Sequence, residues 1–167
     1  MKSHPLRVLL PRRALLCIAV VFSVACSNPE GPLILTYLTA IEDLRAATSL
    51  DDAAISAEFE RLRVGSVNDP AQFRSLFESL RSSNVALLDG LRAIQPPGPL
   101  VGMHAELVRG LVDYVEGIDA ALIEVNQGNV NGALEVFSRA AGKSGIRQTG
   151  AMLQIRRIAR GYGVEPG

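Results

Sequence analysis

From Phe73 to Ile94 the apolar side of the chain advances through Phe73, Phe77, Leu80, Asn84, Leu87, Leu91 and Ile94, in steps of four, three, four, three, four and three. A repeat this regular belongs to a helix with one buried stripe, and a stripe of that length needs a partner helix all along it. Its start is marked by Asp69-Pro70-Ala71-Gln72: a capping carboxylate, a proline at the first helical position and a glutamine three residues past the cap. Its end is marked by Gln95-Pro96-Pro97-Gly98-Pro99, because three prolines in four residues cannot continue a helix and instead reverse the chain. The helix that follows is therefore antiparallel to the one before.

The same spacing extends over the rest of the chain. Leu100, His104, Leu107, Leu111, Tyr114, Ile118, Ala121 and Val125 form the next stripe, which stops at Asn126-Gln127-Gly128 with glycine placed to end a helix. Asn129 caps a last helix whose apolar positions are Val130, Leu134, Phe137 and Ala141, then Ala151, Ile155, Ile158 and Tyr162. Between those two groups lie Ala141-Gly142-Lys143-Ser144-Gly145 and, shortly after, Gly150. Each interior glycine costs about 1 kcal/mol relative to alanine, so a bend, a thinning or a break is predicted there. Small side chains at that point either admit a neighbouring helix closely or leave room for a ligand. Upstream, a helix starting near Pro32 carries Ile34, Tyr37, Ile41 and Leu44. Ser49-Leu50-Asp51-Asp52 reads as a break with a new cap, and a shorter amphipathic piece shows Ile55, Phe59 and Leu62. These two pieces read either as separate helices or as one kinked helix, with a loop from Val64 to Asn68 after them. Strand alternation is missing throughout. The prediction is an all-α, antiparallel up-and-down bundle of four to five helices over residues 33–163, with residues 164–167 as a tail.

The bundle is preceded by a different kind of segment. Lys2, Arg7, Arg12 and Arg13 supply four positive charges with no acid among the first 25 residues, and an uncharged run from Ala14 to Ala25 follows. That is the charged, apolar and small-residue order of an export signal, and twelve apolar residues fall short of the roughly 20 a spanning helix needs. Removing those four charges from the chain's net charge of zero leaves residues 26–167 at −4, which argues against nucleic acid as a partner. Ser23-Val24-Ala25-Cys26-Ser27-Asn28 resembles a bacterial lipobox, in which the cysteine receives the lipid. The resemblance implies that Cys26 is the lipid attachment site and that residues 26–32 form a tether to the membrane. Where such motifs usually carry an aliphatic residue this chain has Ser23. Ser23 and Ala25 also fit ordinary cleavage after Ala25, which would leave Cys26 as a bare N-terminal thiol in a soluble periplasmic or secreted protein.

Reactive chemistry is sparse in the exported part. His104 is its only histidine and lies on an inward stripe, with Leu100, Val101, Leu107 and Val108 at the offsets where a helical metal site would need a carboxylate. The expected role is a hydrogen-bonded core histidine near the proline reversal. Asn84 sits on a seam, where a buried amide sets register, and Tyr114 is expected in the core with its hydroxyl near the surface. No serine, histidine and acid set, CxxC or CxxCH occurs, so neither a catalytic residue nor a cofactor is expected. Arg139, Lys143, Arg147, Arg156, Arg157 and Arg160 crowd the last helix, against Glu42, Asp43, Asp51, Asp52, Glu58 and Glu60 upstream. The cations read as a solvated face, as a complement to those acids, or as a contact for anionic headgroups.

The lipobox-like start, the Pro-Pro-x-Pro turn, Met103-His104-x-x-Leu107, the Gly128-Asn129 turn and the closing Ile158-Ala159-Arg160-Gly161-Tyr162-Gly163-Val164 together resemble a loose group of uncharacterised bacterial exported proteins and lipoproteins built as helical bundles. The resemblance implies an envelope location and carries no activity with it. The leading expectation is a non-enzymatic envelope lipoprotein with a structural or protein-interaction role, partnered by the membrane and an envelope protein. The alternative is an extracytoplasmic bundle that binds a small ligand in a pocket lined by His104, Asn84 or Tyr114. A well-packed interior favours the first, and a polar-lined pocket of roughly 300 Å³ or more favours the second.

Overall fold

The computed structural model describes residues 29–48, 52–64 and 69–165. The export signal, Cys26 and the first tether residues lie outside the described residues, as do residues 49–51 and 65–68. Five α-helices follow in order: α1 Glu30–Thr48, α2 Asp52–Val64, α3 Pro70–Ala93, α4 Val101–Asn126 and α5 Val130–Gly161, with a 3-10 turn at Gly98–Leu100. Among the described residues there is no strand. The chain is the all-α, antiparallel bundle that its three-four spacing predicts, and residues 30–64 fall into two helices, α1 and α2.

Local chemistry accounts for the ends. Asp69 Oδ1 accepts a 3.0 Å bond from the Ala71 amide at the start of α3, with Pro70 in the first turn. Asn129 Oδ1 does the same for the Gly132 amide at the start of α5, also at 3.0 Å. α4 and α5 finish in one pattern. Gly128 (φ 79°) and Gly163 (φ 76°) take left-handed backbone, and the amides that follow them, Asn129 and Val164, return to the carbonyls of Glu124 and Ala159 at 2.9 and 3.0 Å. Val164 thereby folds back and is buried beside Ala159.

α1 begins at Glu30, so Glu30, Gly31 and Pro32, expected in the tether, form its first turn. The cause is packing: Gly31 is buried, and a Cβ there would stand 3.3 Å from the Tyr162 carbonyl oxygen. α5 departs further from expectation. It runs unbroken for 32 residues through Gly142, Gly145 and Gly150. Its seam on α4 is continued across the glycines by Ser144, whose hydroxyl donates a buried 2.7 Å bond to the Gly110 carbonyl. The close approach comes from α4 instead. A Cβ on Gly110 would stand 2.8 Å from Gln148 Cγ, and one on Gly117 would overlap Ala140, whereas Cβ atoms on Gly142, Gly145 and Gly150 would meet open space.

α4 packs most extensively, along α5 and along α3. α1 and α2 share the fourth place of the bundle end to end, and their 19 and 13 residues together match the length of α5. The interior divides accordingly. One apolar cluster joins Ile34, Tyr37 and Ile41 of α1 to Leu91, Leu107 and Ile155. The other joins Leu62 of α2 to Phe73, Phe77, Ile118, Val125 and Ala133.

A candidate ligand cleft at the middle of the bundle

Between the two clusters the bundle opens into a cleft of about 730 Å³, walled by all five helices. It lies where the share of the fourth position passes from α1 to α2. Ile41, Leu44, Arg45 and Thr48 line it from α1, and Ile55 and Phe59 from α2. α3 contributes Leu80, Ser83, Asn84, Leu87 and Leu91, and α4 contributes Leu107, Leu111 and Tyr114. α5 runs past with Phe137, Ala141, Ser144, Gly145, Gln148, Thr149, Met152, Leu153 and Arg156. Because Gly145 has no side chain and Ala141 only a methyl, the α5 wall is shallow there and the space persists. The small residues of α5 therefore serve both readings at once: Ser144 makes a close contact, while Gly145 leaves room.

A polar belt crosses this apolar wall. The Ser83 hydroxyl donates to the Thr48 carbonyl, tying α3 to the end of α1, and the Thr48 hydroxyl donates to the Leu44 carbonyl at 2.7 Å. Gln148 Nε2 donates to Ser144 Oγ at 2.7 Å. Asn84 Nδ2 donates to the Leu80 carbonyl at 2.8 Å, within its own helix. Asn84 is thus held by its own backbone, and the seam it was expected to pin opens at that level into the cleft.

At one end of the cleft the lining is aromatic. Phe137 stacks on Phe59 at 5.3 Å and 12°, and Phe77 and Tyr114 lie against Phe137 at 5.3 and 5.6 Å. Toward the other end, on α5, stands Arg156, and Arg45 lies one turn before Thr48 on α1. Among the described residues the lining contains no carboxylate, imidazole or thiol. Such a wall can hold an apolar molecule and orient a polar group on it.

Of the three residues expected to line a pocket, Asn84 and Tyr114 do, and His104 does not. His104 Nδ1 shares a buried 3.0 Å hydrogen bond with the Tyr37 hydroxyl, and the two rings meet edge to face at 5.8 Å. The partner is a side chain of α1 rather than a carbonyl of the proline reversal. Burial lowers the His104 pKa from the ordinary imidazole value and pushes Tyr37 up to about 12, so both stay neutral. Among the described residues no three His, Cys, Asp or Glu side chains come together as a metal set.

The cations of α5 divide along its length. Arg139 pairs with Glu135 at 2.6 Å. Arg147 pairs with Glu106 at 2.9 Å and Asp113 at 3.3 Å, and Lys143 with Asp113 at 3.4 Å. The acids that answer these three belong to α4 and α5, not to residues 42–60. Among the described residues no acid pairs with Arg45, Arg156, Arg157 or Arg160. Arg156 was legible only as one of the cations crowding the last helix, and Arg45 was not singled out. Their place beside the cleft depends on α1 lying against the C-terminal half of α5, which no local pattern encodes.

No protein-family model, curated protein or solved structure matches the chain. Among the described residues no helix is long and apolar enough to cross a membrane.

Proposed function

We propose that this chain is an exported, non-enzymatic binding protein that is tethered at the bacterial envelope through lipidated Cys26 and carries a small ligand in the cleft. The observation that carries the reading is the cleft itself. At about 730 Å³ it falls within the range of ligand sites, roughly 300–1,000 Å³, and its wall is mainly apolar with a few polar groups converging on it.

The test uses the exported chain with Cys26→Ser, which keeps every described residue and has no acyl anchor. Phenylnaphthylamine, a neutral apolar fluorophore, should bind saturably to it. Gly145→Leu should abolish that binding without loss of thermal stability, because the new side chain enters open space inside the cleft. Fluorescence that never saturates, or that is unchanged by Gly145→Leu, would overturn the reading. The tether is tested separately by the intact mass of protein recovered from membranes. Loss of 25 residues and acyl chains on Cys26 is the expected result, and an unmodified Cys26 in a soluble fraction removes the tether while leaving the cleft.

One observation favours a protein-interaction role instead. Ile146 and Leu153 stand 79% and 61% exposed, two turns apart on α5. If they cover a partner protein, Ile146→Asp should release it from detergent-solubilised envelope without changing phenylnaphthylamine binding.

A further inference from the structure

We infer that the end of the bundle where α1 begins docks on an anionic phospholipid surface, with Leu33, Leu35 and Val101 among the headgroups and Arg157 and Arg160 beside the phosphates. The inference rests on the lipid tether proposed above and is independent of the cleft.

Three observations carry it. The first is the short tether. α1 begins at Glu30, so only Ser27, Asn28 and Pro29 separate it from Cys26. Four residue steps reach at most about 14 Å, which keeps the start of α1 beside a membrane that holds Cys26. Docking there is intramolecular, and a surface of low intrinsic affinity suffices.

The second is what gathers at that end. Gly31 packs against the Tyr162 carbonyl, and Ile34, Leu100, Ala159 and Val164 share one apolar cluster. The starts of α1 and α4 and the finish of α5 are therefore neighbours. Leu33 and Leu35, on either side of the fully buried Ile34, are more than half exposed, and so is Val101, the first residue of α4. Leu35 lies five residues from Glu30, roughly 8 Å along the axis, within the depth to which apolar groups sink at a bilayer interface.

The third is charge. From Gln148 to Gly161 α5 carries Arg156, Arg157 and Arg160 and no acid. Arg157 and Arg160 are exposed, five and two residues before Tyr162, roughly 8 and 3 Å from that end and so within a Debye length of a surface touching it. The acids nearby are Glu30, Asp89, Glu106 and Glu165. Asp89 pairs with Arg92 at 3.6 Å and Glu106 with Arg109 at 3.0 Å, which leaves three arginines to Glu30 and Glu165. An anionic surface strengthens binding about fivefold for each arginine brought close to it.

The experiment uses the full acylated chain, recovered from membranes and reconstituted into phosphatidylglycerol vesicles containing a nitroxide-labelled lipid as quencher. Acylation blocks Cys26, so a fluorophore attaches to a single new thiol in Leu33→Cys, Val101→Cys, Ile123→Cys or Ile146→Cys, all exposed positions. Ile123 is near the opposite end of α4, and Ile146 is sixteen residues before Tyr162, roughly 24 Å. The lipid-borne quencher should dim Leu33→Cys and Val101→Cys at least about threefold more than the other two. That difference should fall by about half or more in phosphatidylcholine vesicles, and likewise when Arg157→Gln/Arg160→Gln is added. Equal quenching at all four positions, or more at Ile146→Cys than at Val101→Cys, overturns the inference and leaves the tether standing. Labels at Leu33→Cys and Val101→Cys that are shielded from water but not quenched by lipid assign this end to a protein contact and overturn it too. A difference that Arg157→Gln/Arg160→Gln leaves unchanged overturns the role given to the arginines. An intact mass showing unmodified Cys26 defeats the tether itself, and the inference with it.

Discussion

Tyr37 and His104 bury one hydrogen bond between α1 and α4, and burial holds both groups neutral. Each shift has a consequence for stability with its own sign. The unfolded chain takes up a proton on His104 near pH 6.5, where the fold still resists it, so stability should fall as pH drops below about 6.5 and level off once the fold also protonates. Tyr37 acts at the other limit: the unfolded chain loses its proton near 10 while the fold keeps it to about 12, so stability should also fall as pH rises between those values. Melting temperatures across pH, in the native chain and in His104→Leu, check the acid limb. The decline below pH 6.5 should be shallower in the variant, and equal slopes would assign it to other groups. At neutral pH His104→Leu should cost about 1–3 kcal/mol, because the Tyr37 hydroxyl is left buried without its partner. Adding Tyr37→Phe should recover part of that loss, and no recovery would show that packing rather than the hydrogen bond sets the cost.

The helices themselves were largely legible. Steps of three and four, Asp69-Pro70, the proline reversal and the Gly128-Asn129 turn mark α3, α4 and the start of α5 within a residue or two of where they lie. The continuity of α5 was not. Its glycines read as a weak point because propensity is local, yet about 1 kcal/mol per glycine is small beside a long helix packed along its neighbour. The glycines that govern packing are Gly110 and Gly117 of α4, seven residues apart and so on one face, a signal present in the sequence beside the more conspicuous apolar stripe. A matched pair of substitutions separates the two kinds. Gly142→Ala should stabilise the protein by up to about 1 kcal/mol, since its Cβ meets nothing within 4 Å. Gly117→Ala should destabilise it by about 1–3 kcal/mol, the overlap with Ala140 exceeding the gain in helix propensity. Chemical denaturation midpoints at constant m-value decide the matter. A loss of stability in Gly142→Ala would mean that α5 is not continuous there.

At the scale of the molecule the cleft follows from how one position of the bundle is filled. Three long helices form a frame, and two shorter ones cover its open side in succession, each packing on its own apolar cluster. The sequence shows the stripes, and Asn84 and Tyr114 could be singled out because each puts a polar group on one. It does not show that a cleft lies where α1 gives way to α2, because that depends on where these helices meet α3 and α5. The same arrangement implies uneven stability. Of the described α2 side chains only Leu62 is buried, with Ile55 and Phe59 half-buried against the cleft, whereas α4 buries nine residues between α3 and α5. Opening α2 exposes far less apolar surface than separating α4 from its neighbours, so its free energy should be much the lower. Hydrogen exchange read by mass spectrometry should therefore find α2 amides exchanging at least about tenfold faster than the central turns of α4, with α1 between them. A ligand seated in the cleft touches Ile55 and Phe59, and phenylnaphthylamine should slow exchange in α2 while the already protected centre of α4 changes little. Protection in α2 equal to that in α4 without ligand would mean that the bundle opens as one unit and that α2 is no movable cover over the cleft.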